Sequence, residues 1–307
     1  MTNSRKILLS GASGMIGTAL VRVAEAKRIS VLRLVRRAPE DPSEIRWNPE
    51  STEIQAGASL LEGLDAAIHL SGANLSAHRW TPAYKQEIFN SRTATTRALV
   101  SVFNSLNQPP AILLCASATG IYGNRGDEIL TEESPPGQGF LPETCLAWEA
   151  EAGKAREAGI RVVNLRFGVV LGTGEGVLGK LLPLFRAGLG GNLGNGRQWM
   201  GWIALEDLVR AVFYLAESAG ASGPFNLVAP DPVTNADFTR ALGHALHRPA
   251  ILPAPAFALR AVFGDMADAA LLASSRAVPQ RLLRLGFTFE LPKLDLAFAA
   301  ILNTNRR

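Results

Sequence analysis

Three glycines near the start of the chain, spaced three residues apart, constrain the fold more than any other feature. The apolar stretch at 5–10 leads directly into Gly11, Gly14 and Gly17, and an amphipathic helix pattern follows at once. Gly11 can adopt a positive φ for a tight turn, Gly14 lets the backbone approach a pyrophosphate, and Gly17 lets the helix lie close on the strand. The helix N-terminus supplies free N–H groups and the positive end of a dipole. The pattern therefore predicts the first turn of a dinucleotide-binding βαβ unit.

The end of the second predicted strand is where such a unit distinguishes one dinucleotide from another. This strand, 30–35, ends at Arg36 and Arg37, about 20 residues past the glycines, where the ribose-binding residue is expected. A carboxylate there would repel a 2′-phosphate, whereas an arginine can bind it with two parallel hydrogen bonds. The two arginines therefore favour NADP(H) as the cofactor. The alternative is that they are ordinary solvated charges at a strand end.

Composition narrows the classes of protein and of partner. The chain has 307 residues, of which 47% are hydrophobic, which is enough for one domain with an appendage or for two domains. The net charge of +4 is mild, and we expect no nucleic-acid partner. The two cysteines have no metal-ligand spacing to the four histidines, so we expect no metal and no disulfide. Without an apolar leader or a stretch of about 20 apolar residues, a cytoplasmic protein with no membrane partner is expected.

Apolar strand patterns alternate with helical patterns through the first two-thirds of the chain. Strands are predicted at 7–9, 31–35, 66–70, 111–116 and 161–166, and helices at 18–26, 82–105 and 144–158. Such alternation predicts a Rossmann-like α/β fold, a doubly wound parallel sheet with helices on both faces. We expect an NADP-binding domain over 1–175 and a smaller, mixed α/β domain on the substrate side over 176–307. Part of 200–230 is expected to return to the first domain.

Ordered motifs along nearly the whole chain resemble one family. They are Gly-Ala-Ser-Gly-Met-Ile-Gly at 11–17, His-Leu-Ser-Gly at 69–72, Ser-Ala-Thr-Gly-Ile-Tyr-Gly at 117–123, Arg-Phe-Gly-Val-Val-Leu-Gly at 166–172 and Val-Pro-Gln-Arg at 278–281. Together they resemble the extended short-chain dehydrogenases/reductases, and within them the atypical "epimerase family" branch. The resemblance implies that 250–300 is the small C-terminal domain of that branch. It does not fix a reaction, because one fold supports many chemistries.

The resemblance also implies a cofactor site built from several segments. Leu70 and Ser71 follow a strand where family members run their backbone past the adenosine ribose, and Val170 falls where the loop borders the nicotinamide. Glu87 and Arg92 face the cofactor from the long helix, although the residues alone equally allow a solvated helix face. The residues expected to contact NADP(H) are Gly11, Ser13, Gly14, Met15, Ile16, Gly17, Arg36, Arg37, Leu70, Ser71, Gly72, Glu87, Arg92 and Val170.

The catalytic pair of a working short-chain reductase is missing. Such enzymes use a tyrosine and a lysine four residues apart on one helix, because the lysine lowers the pKa of the phenol. Four residues after Tyr84, Tyr122 and Tyr214 stand Ile88, Gly126 and Ser218. The resemblance aligns Cys145 with the tyrosine and Glu149 with the lysine, which reverses the local charge.

The remaining candidates for catalysis lie around that position; they are Ser117, Thr119, Tyr122, Cys145 and Glu149. Either Ser117 or Thr119 is equivalent to the catalytic serine or threonine, and Tyr122 could turn towards the nicotinamide. Cys145 and Glu149 could form an acid–base pair, although a nearby carboxylate raises the pKa of a thiol. The alternative is that Cys145 packs in the core and Glu149 makes a structural hydrogen bond.

Two functions fit these observations. The first is an NADP-dependent oxidoreductase or epimerase-like enzyme acting on an unknown small molecule with a hydroxyl or carbonyl group. The second is a regulatory or sensor protein that binds NADP(H) without turnover. By analogy with the extended family, a homodimer through the helices at 82–105 and 144–158 is also expected.

Overall fold

The computed structural model describes residues 5–49, 53–54, 58–174 and 176–304, so residues 1–4, 50–52, 55–57, 175 and 305–307 of the two predicted domains lie outside the described residues. The strands are β1 (Lys6–Ser10), β2 (Ser30–Val35), β3 (Glu44–Asn48), β4 (Glu53–Ile54), β5 (Ala66–His69), β6 (Ile112–Ala118), β7 (Ile129–Leu130), β8 (Arg161–Phe167), β9 (Val169–Leu171), β10 (Trp199–Met200), β11 (Trp202–Ala204), β12 (Gly223–Leu227), β13 (Val233–Thr234) and β14 (Arg276–Ala277). The helices are α1 (Met15–Ala26), α2 (Pro82–Asn104), α3 (Phe140–Gly153), α4 (Gly176–Arg186), α5 (Leu205–Glu217), α6 (Asn235–Leu246), α7 (Ala256–Phe263), α8 (Gln280–Arg284) and α9 (Leu294–Thr304).

A large twisted sheet organises the first two-thirds of the chain. Within the described ranges, eight strands join in the order β12-β8-β6-β5-β1-β2-β3-β4. Every neighbouring pair is parallel except β3 and β4, which are antiparallel. The strand order reverses at β1, and ligands of such sheets bind at this switch point, beyond the carboxyl ends of the strands. The predicted Rossmann-like sheet is thereby confirmed.

Helices cover both faces of the sheet, as predicted. On one face, α1 and α5 bury Leu20 and Leu208 against β1 and β8, together with Phe287 from the C-terminal tail. On the other face, α2 and α3 bury Phe103 and Trp148. Each strand buries side chains on both sides, which is why β6 and β8 read as almost continuous apolar runs.

The second half of the chain builds a smaller core of its own and also returns to the large sheet. Apolar side chains of α4, α6 and α9, among them Leu182, Phe238 and Phe298, pack together beside that sheet. Strand β12 pairs with β8, so residues 223–227 belong to the large sheet. Two short parallel pairings, β11 with β9 and β14 with β7, further connect the two halves.

Two local differences from the predicted elements have physical causes. Strand β3 was not predicted, because it begins with Glu44, and a charged residue does not indicate a buried strand. In the structure Glu44 is buried and forms ion pairs with Arg33 and Arg37. Helix α3 begins at Phe140 rather than at 144, since Pro142 occupies its first turn, where a missing N–H costs nothing. Among the described residues, no helix is long and apolar enough to cross a membrane.

Candidate functional site

The glycine turn at the end of β1 has the geometry that its spacing predicts. Gly11 has a φ of +72°, and a Cβ there would lie 3.0 Å from the carbonyl carbon of Leu70. At Gly17 a Cβ would lie 2.2 Å from the Gly11 oxygen, so packing of the helix on the turn excludes any side chain. At Gly14 the nearest atom to a Cβ would be the Gly11 oxygen at 3.7 Å. Protein packing therefore does not require Gly14, and the open space beside it fits the approach of a phosphate.

The N-terminus of α1 is left open towards the same space. Gly14 is the N-cap residue, no side chain in the described chain caps the helix, and its first turn carries no acidic residue. Ser13 and Gly14 are exposed, while Met15 and Ile16 are half-buried. Unpaired N–H groups and the positive end of the helix dipole together attract an anion.

The two arginines after β2 differ in their surroundings. Arg37 donates two hydrogen bonds to Glu44, at 2.7 and 2.8 Å, and this contact lowers the pKa of the Glu44 carboxyl. Arg36 is exposed and has no side-chain partner in the part of the chain that the structure describes. Of the two guanidinium groups, that of Arg36 is free to bind a further anion.

A buried histidine links the end of β5 to the glycine turn and to α2. The Ser10 hydroxyl lies 2.7 Å from Nδ1 of His69 and accepts a hydrogen bond from the Leu70 N–H. The Thr95 hydroxyl lies 3.4 Å from the other ring nitrogen. Burial lowers the pKa of His69 to about 4, so the ring is neutral at physiological pH. These hydrogen bonds hold the end of β5 in place and thereby position the segment that follows it, Leu70, Ser71 and Gly72.

Arg92 on α2 lies directly beside this segment. Its guanidinium donates to the Ala73 oxygen at 3.1 Å and to the Ile88 oxygen at 3.0 Å, and it stacks on Trp148 at 5.3 Å from the ring centre. A Cβ on Gly72 would lie 3.3 Å from the guanidinium carbon. Burial lowers the pKa of Arg92, and no carboxylate among the described residues pairs with it. A half-buried cation whose hydrogen-bond partners are carbonyl and hydroxyl oxygens is placed to attract an anion.

The remaining predicted cofactor contacts lie at the borders of this edge. Val170 on β9 pairs in register with Ile203, and the Met15 side chain packs near the loop that follows β9. A Cβ on Gly172 would lie 3.1 Å from the Met15 sulfur. Glu87 is exposed on α2, earlier in the helix than Arg92. The glycine turn and the segment after β9 are thus adjacent, whereas Glu87 lies on the outer part of the helix.

At the end of β6 a buried ion pair occupies the predicted catalytic position. Ser117 donates a 2.7 Å hydrogen bond to Glu149, whose carboxylate receives two hydrogen bonds from Arg166 on β8, at 2.8 and 3.0 Å. The side chains of Glu149 and Arg166 are 12% and 9% exposed. Two parallel hydrogen bonds to a carboxylate are a strong arrangement in such an enclosed position. The Ser117 hydroxyl donates its proton to the hydrogen bond with Glu149. Its oxygen can still accept a hydrogen bond from another group.

Tyr122 closes the far side of this network. Its hydroxyl accepts from Arg166 at 3.0 Å and donates to Asn226 at 2.7 Å, and the side chain is fully buried. Burial raises the pKa of the phenol. The hydroxyl is connected to Ser117 only through Arg166 and Glu149, so the expected turn of Tyr122 towards a nicotinamide differs from the observed packing.

Cys145 lies one helical turn before Glu149, on the side of Arg92. The thiol is buried, and burial raises its pKa to about 11, with the Glu149 charge adding to the rise and Arg92 opposing it. Thr119 is half-exposed at the start of the turn that follows β6, and its hydroxyl has no partner among the described residues. The structure therefore brings Ser117, Cys145 and Glu149 together and leaves Thr119 open beside them.

Sequence reasoning missed three residues of this edge: Arg166, Asn226 and His69. An arginine in the middle of an apolar strand is a signal, because a buried cation needs a partner, and Glu149 was the unexplained acid. Asn226 gives no comparable signal. The described residues contain no group of three or more His, Cys, Asp or Glu side chains that could hold a metal ion.

Comparison with known proteins agrees with this geometry. Residues 7–227 match the model of the NAD dependent epimerase/dehydratase family, and residues 254–301 match a domain of unknown function, DUF1731. An epimerase family protein of Mycobacterium bovis is 44% identical over 92% of this chain and 93% of its own length. The human epimerase family protein SDR39U1 is 35% identical over 96% of this chain and 99% of its own length.

The fold comparison extends over both halves of the chain. The crystal structure of human SDR39U1 (isoform 2) with NADPH superposes with a TM-score of 0.89 at 33% identity, and covers 97% of this chain and 99% of that one. The match includes the C-terminal segment as well as the large sheet. The chain therefore belongs to the NAD dependent epimerase/dehydratase family, as one of its atypical short-chain dehydrogenases/reductases with the additional C-terminal domain.

Proposed function

We propose that this protein binds NADP(H) and transfers hydride to or from a small molecule that carries a carbonyl or hydroxyl group. The observation that carries the proposal is the position of Cys145 at the end of β6, where it packs near Ala118 and close to Ser117, Glu149 and Arg92. An oxidoreductase or epimerase-like reaction needs a proton donor at this position. In this chain the thiol of Cys145 would take the role that the tyrosine has in other family members.

Three features of the described residues fit the phosphates of NADP(H). The space beside Gly14 would admit a pyrophosphate, and the uncapped start of α1 supplies N–H donors. The unpaired Arg36 suits a 2′-phosphate, while Arg37 is held by Glu44. The human relative whose structure is described with NADPH supports the same choice.

The side chains at the end of β6 would handle the proton. When bound, NADPH supplies the hydride to the carbonyl carbon. With a pKa of about 11, Cys145 keeps its proton at neutral pH and can donate it to the developing alkoxide, whose basicity is higher. Ser117 accepts a hydrogen bond at its oxygen, because its own proton is held by Glu149. Arg166 fixes the Glu149 carboxylate in position through two hydrogen bonds.

The alternative is a regulatory protein that senses NADP(H) without turnover. The observation that favours it is the closure of the polar network: Glu149 is neutralised by Arg166, and Tyr122 has both hydrogen bonds engaged. No residue of this network would exchange a proton with a substrate if the network only stabilises the fold.

The rate of NADPH oxidation distinguishes the two functions. The purified protein is mixed with NADPH and a panel of small aldehydes and ketones in a stopped-flow instrument, and the loss of nicotinamide absorbance is followed. We expect oxidation with at least one carbonyl, and a Cys145→Ala variant slower by about 10²- to 10⁴-fold, the usual contribution of a general acid. A Cys115→Ala variant is the matched control, because Cys115 is equally buried but lies in the core between α2 and the sheet.

Two results would overturn parts of the proposal. If the protein binds NADPH but oxidises it with no carbonyl of the panel, the regulatory function is favoured. If Cys145→Ala retains the full rate, the thiol is not the proton donor, and the open hydroxyl of Thr119 becomes the next candidate.

A further inference from the structure

A groove in the smaller half of the molecule has a lining that the dinucleotide site does not share. It has a volume of about 390 Å³ and runs along one side of α6, and none of the residues predicted for cofactor or catalysis lines it. Its lining consists of Asn192, Ala236, Thr239, Arg240, Gly243, His244, Arg248, Ala250 and Ile251. This volume is in the range of pockets that hold small molecules.

The end of α6 creates this groove. His247 adopts a left-handed conformation with a φ of +51°, and the N–H of Arg248 donates to the Gly243 oxygen at 3.0 Å. The chain therefore turns back along the helix. A Cβ on Gly243 would lie 2.9 Å from the Cβ of Ala250, so glycine is needed for this close approach. The result is a floor of small residues between polar walls.

The walls contain polar groups that the protein leaves without partners. Thr239 is 3% exposed, and its hydroxyl has no hydrogen-bond partner among the described residues. The side-chain amide of Asn192 likewise has none there. Both groups line the groove, so each can form a hydrogen bond with a molecule that occupies it.

The charge of the lining is positive. Arg248 donates to the backbone oxygens of Arg186 and His247, at 3.1 and 3.5 Å, and has no carboxylate partner in the described ranges. Arg240 forms an ion pair with Asp237 at 2.9 Å, so among the described residues Arg248 is the lining arginine without an acidic partner. No acidic side chain lines the groove. Donors and positive charge together select an anion.

We propose that this groove binds a small molecule through a phosphate or carboxylate group, at a site separate from the dinucleotide site. Arg248 supplies the charge, and Thr239 and Asn192 supply hydrogen bonds to the anionic oxygens. The floor of Ala236, Gly243 and Ala250 accommodates the apolar part of the molecule.

Calorimetric titration tests this site with two probes, inorganic pyrophosphate and citrate. Each is titrated into the full-length protein with and without saturating NADPH, because the glycine turn is a second place where a phosphate can bind. We expect one binding event that NADPH does not remove. Arg248→Gln should weaken it at least about tenfold, and the isosteric Thr239→Val about three- to tenfold. Binding of pyrophosphate alone would identify a phosphate site, and binding of citrate alone a carboxylate site.

Arg156→Gln is the matched control, because Arg156 is an exposed arginine after α3, in the other half of the molecule. It should bind both probes as the wild type does, and thermal unfolding of every variant shows that each is folded. The proposal is overturned if neither probe binds at millimolar concentration, or if folded Arg248→Gln and Thr239→Val variants bind as tightly as the wild type. Neither outcome bears on NADP(H) binding, which a separate titration of NADPH into the same protein measures.

Discussion

Two neighbouring parts of one sheet edge treat their polar groups in opposite ways. Around β1, β2 and β5, the described residues leave donors without acidic partners: the start of α1, Arg36 and Arg92. At the carboxyl ends of β6 and β8, a closed network runs from Ser117 through Glu149 and Arg166 to Tyr122, and its members satisfy one another. The first part is prepared for an anion, and the second is complete without one.

This difference determines how far a function can be inferred for each part. Donors without acidic partners can bind an anion, and the partial burial of Arg92 limits its hydration and so strengthens this tendency. A closed ion pair gives no such indication, because it is equally expected of a structural element. The cofactor is therefore inferred from the first part, whereas the proposed reaction relies on Cys145, at the margin of the second.

The largest effect should come from opening the closed part. Arg166→Met leaves the buried Glu149 carboxylate without its partner, and we expect the free energy of unfolding to fall by about 3–5 kcal/mol in chemical denaturation. A Glu149→Met/Arg166→Met double variant removes both charges and should lose less than the single variant does. If Arg166→Met is as stable as the wild type, the ion pair does not contribute to the free energy of unfolding.

The next effect concerns pH and the buried His69. Its pKa in the folded protein, about 4, lies below the ordinary 6.5, so the unfolded state binds the proton more readily between these values. Stability is therefore full above pH 6.5 and should fall as the pH drops towards 4, by up to about 3 kcal/mol. His69→Gln should flatten this dependence, as measured by unfolding between pH 7 and about 4.

His78→Gln provides the comparison for that experiment, since His78 is exposed. It should retain the pH dependence of the wild type. An equally steep fall of stability in the His69→Gln variant would show that other groups cause the acid sensitivity.

A smaller effect separates the roles of two glycines in the open part. In Gly17→Ala the new Cβ would meet the Gly11 oxygen at 2.2 Å, and the loss of stability should be about 1–3 kcal/mol. In Gly14→Ala the new Cβ meets no protein atom closer than 3.7 Å, so stability should change by less than about 1 kcal/mol while NADPH binding weakens. Thermal unfolding and fluorescence titration measure the two quantities. If the Gly14→Ala variant binds NADPH as tightly as the wild type, the pyrophosphate does not bind in the space beside Gly14.

Much of the fold follows from local pattern, because glycine spacing and apolar runs act over a few residues. The βαβ unit at the N-terminus, the long helix α2 and the parallel sheet were all predicted. Strand β3 was not, since the burial of Glu44 depends on Arg37 seven residues earlier and on Arg33 in the adjacent strand. Pairing of a charge across strands leaves no periodic signal.

The candidate site was predictable in part for the same reason. The glycine turn and Arg36 are local features, and the sequence identifies them directly. The Glu149–Arg166 pair joins a helix to a strand, and Tyr122 meets Asn226 across 104 positions of the chain. Such contacts depend on the tertiary arrangement, which is why the sequence did not indicate that Tyr122 is buried and bonded to Asn226.

The most direct test of the contrast is the affinity for NADPH and NADH, measured by fluorescence titration of the wild type and Arg36→Ala. If the unpaired Arg36 binds the 2′-phosphate, the wild type should bind NADPH more tightly than NADH. Arg36→Ala should then lose about 1.5–3 kcal/mol, roughly ten- to a hundredfold, for NADPH alone. Equal affinities of the wild type for the two dinucleotides, or an equal loss for both in Arg36→Ala, would contradict the account.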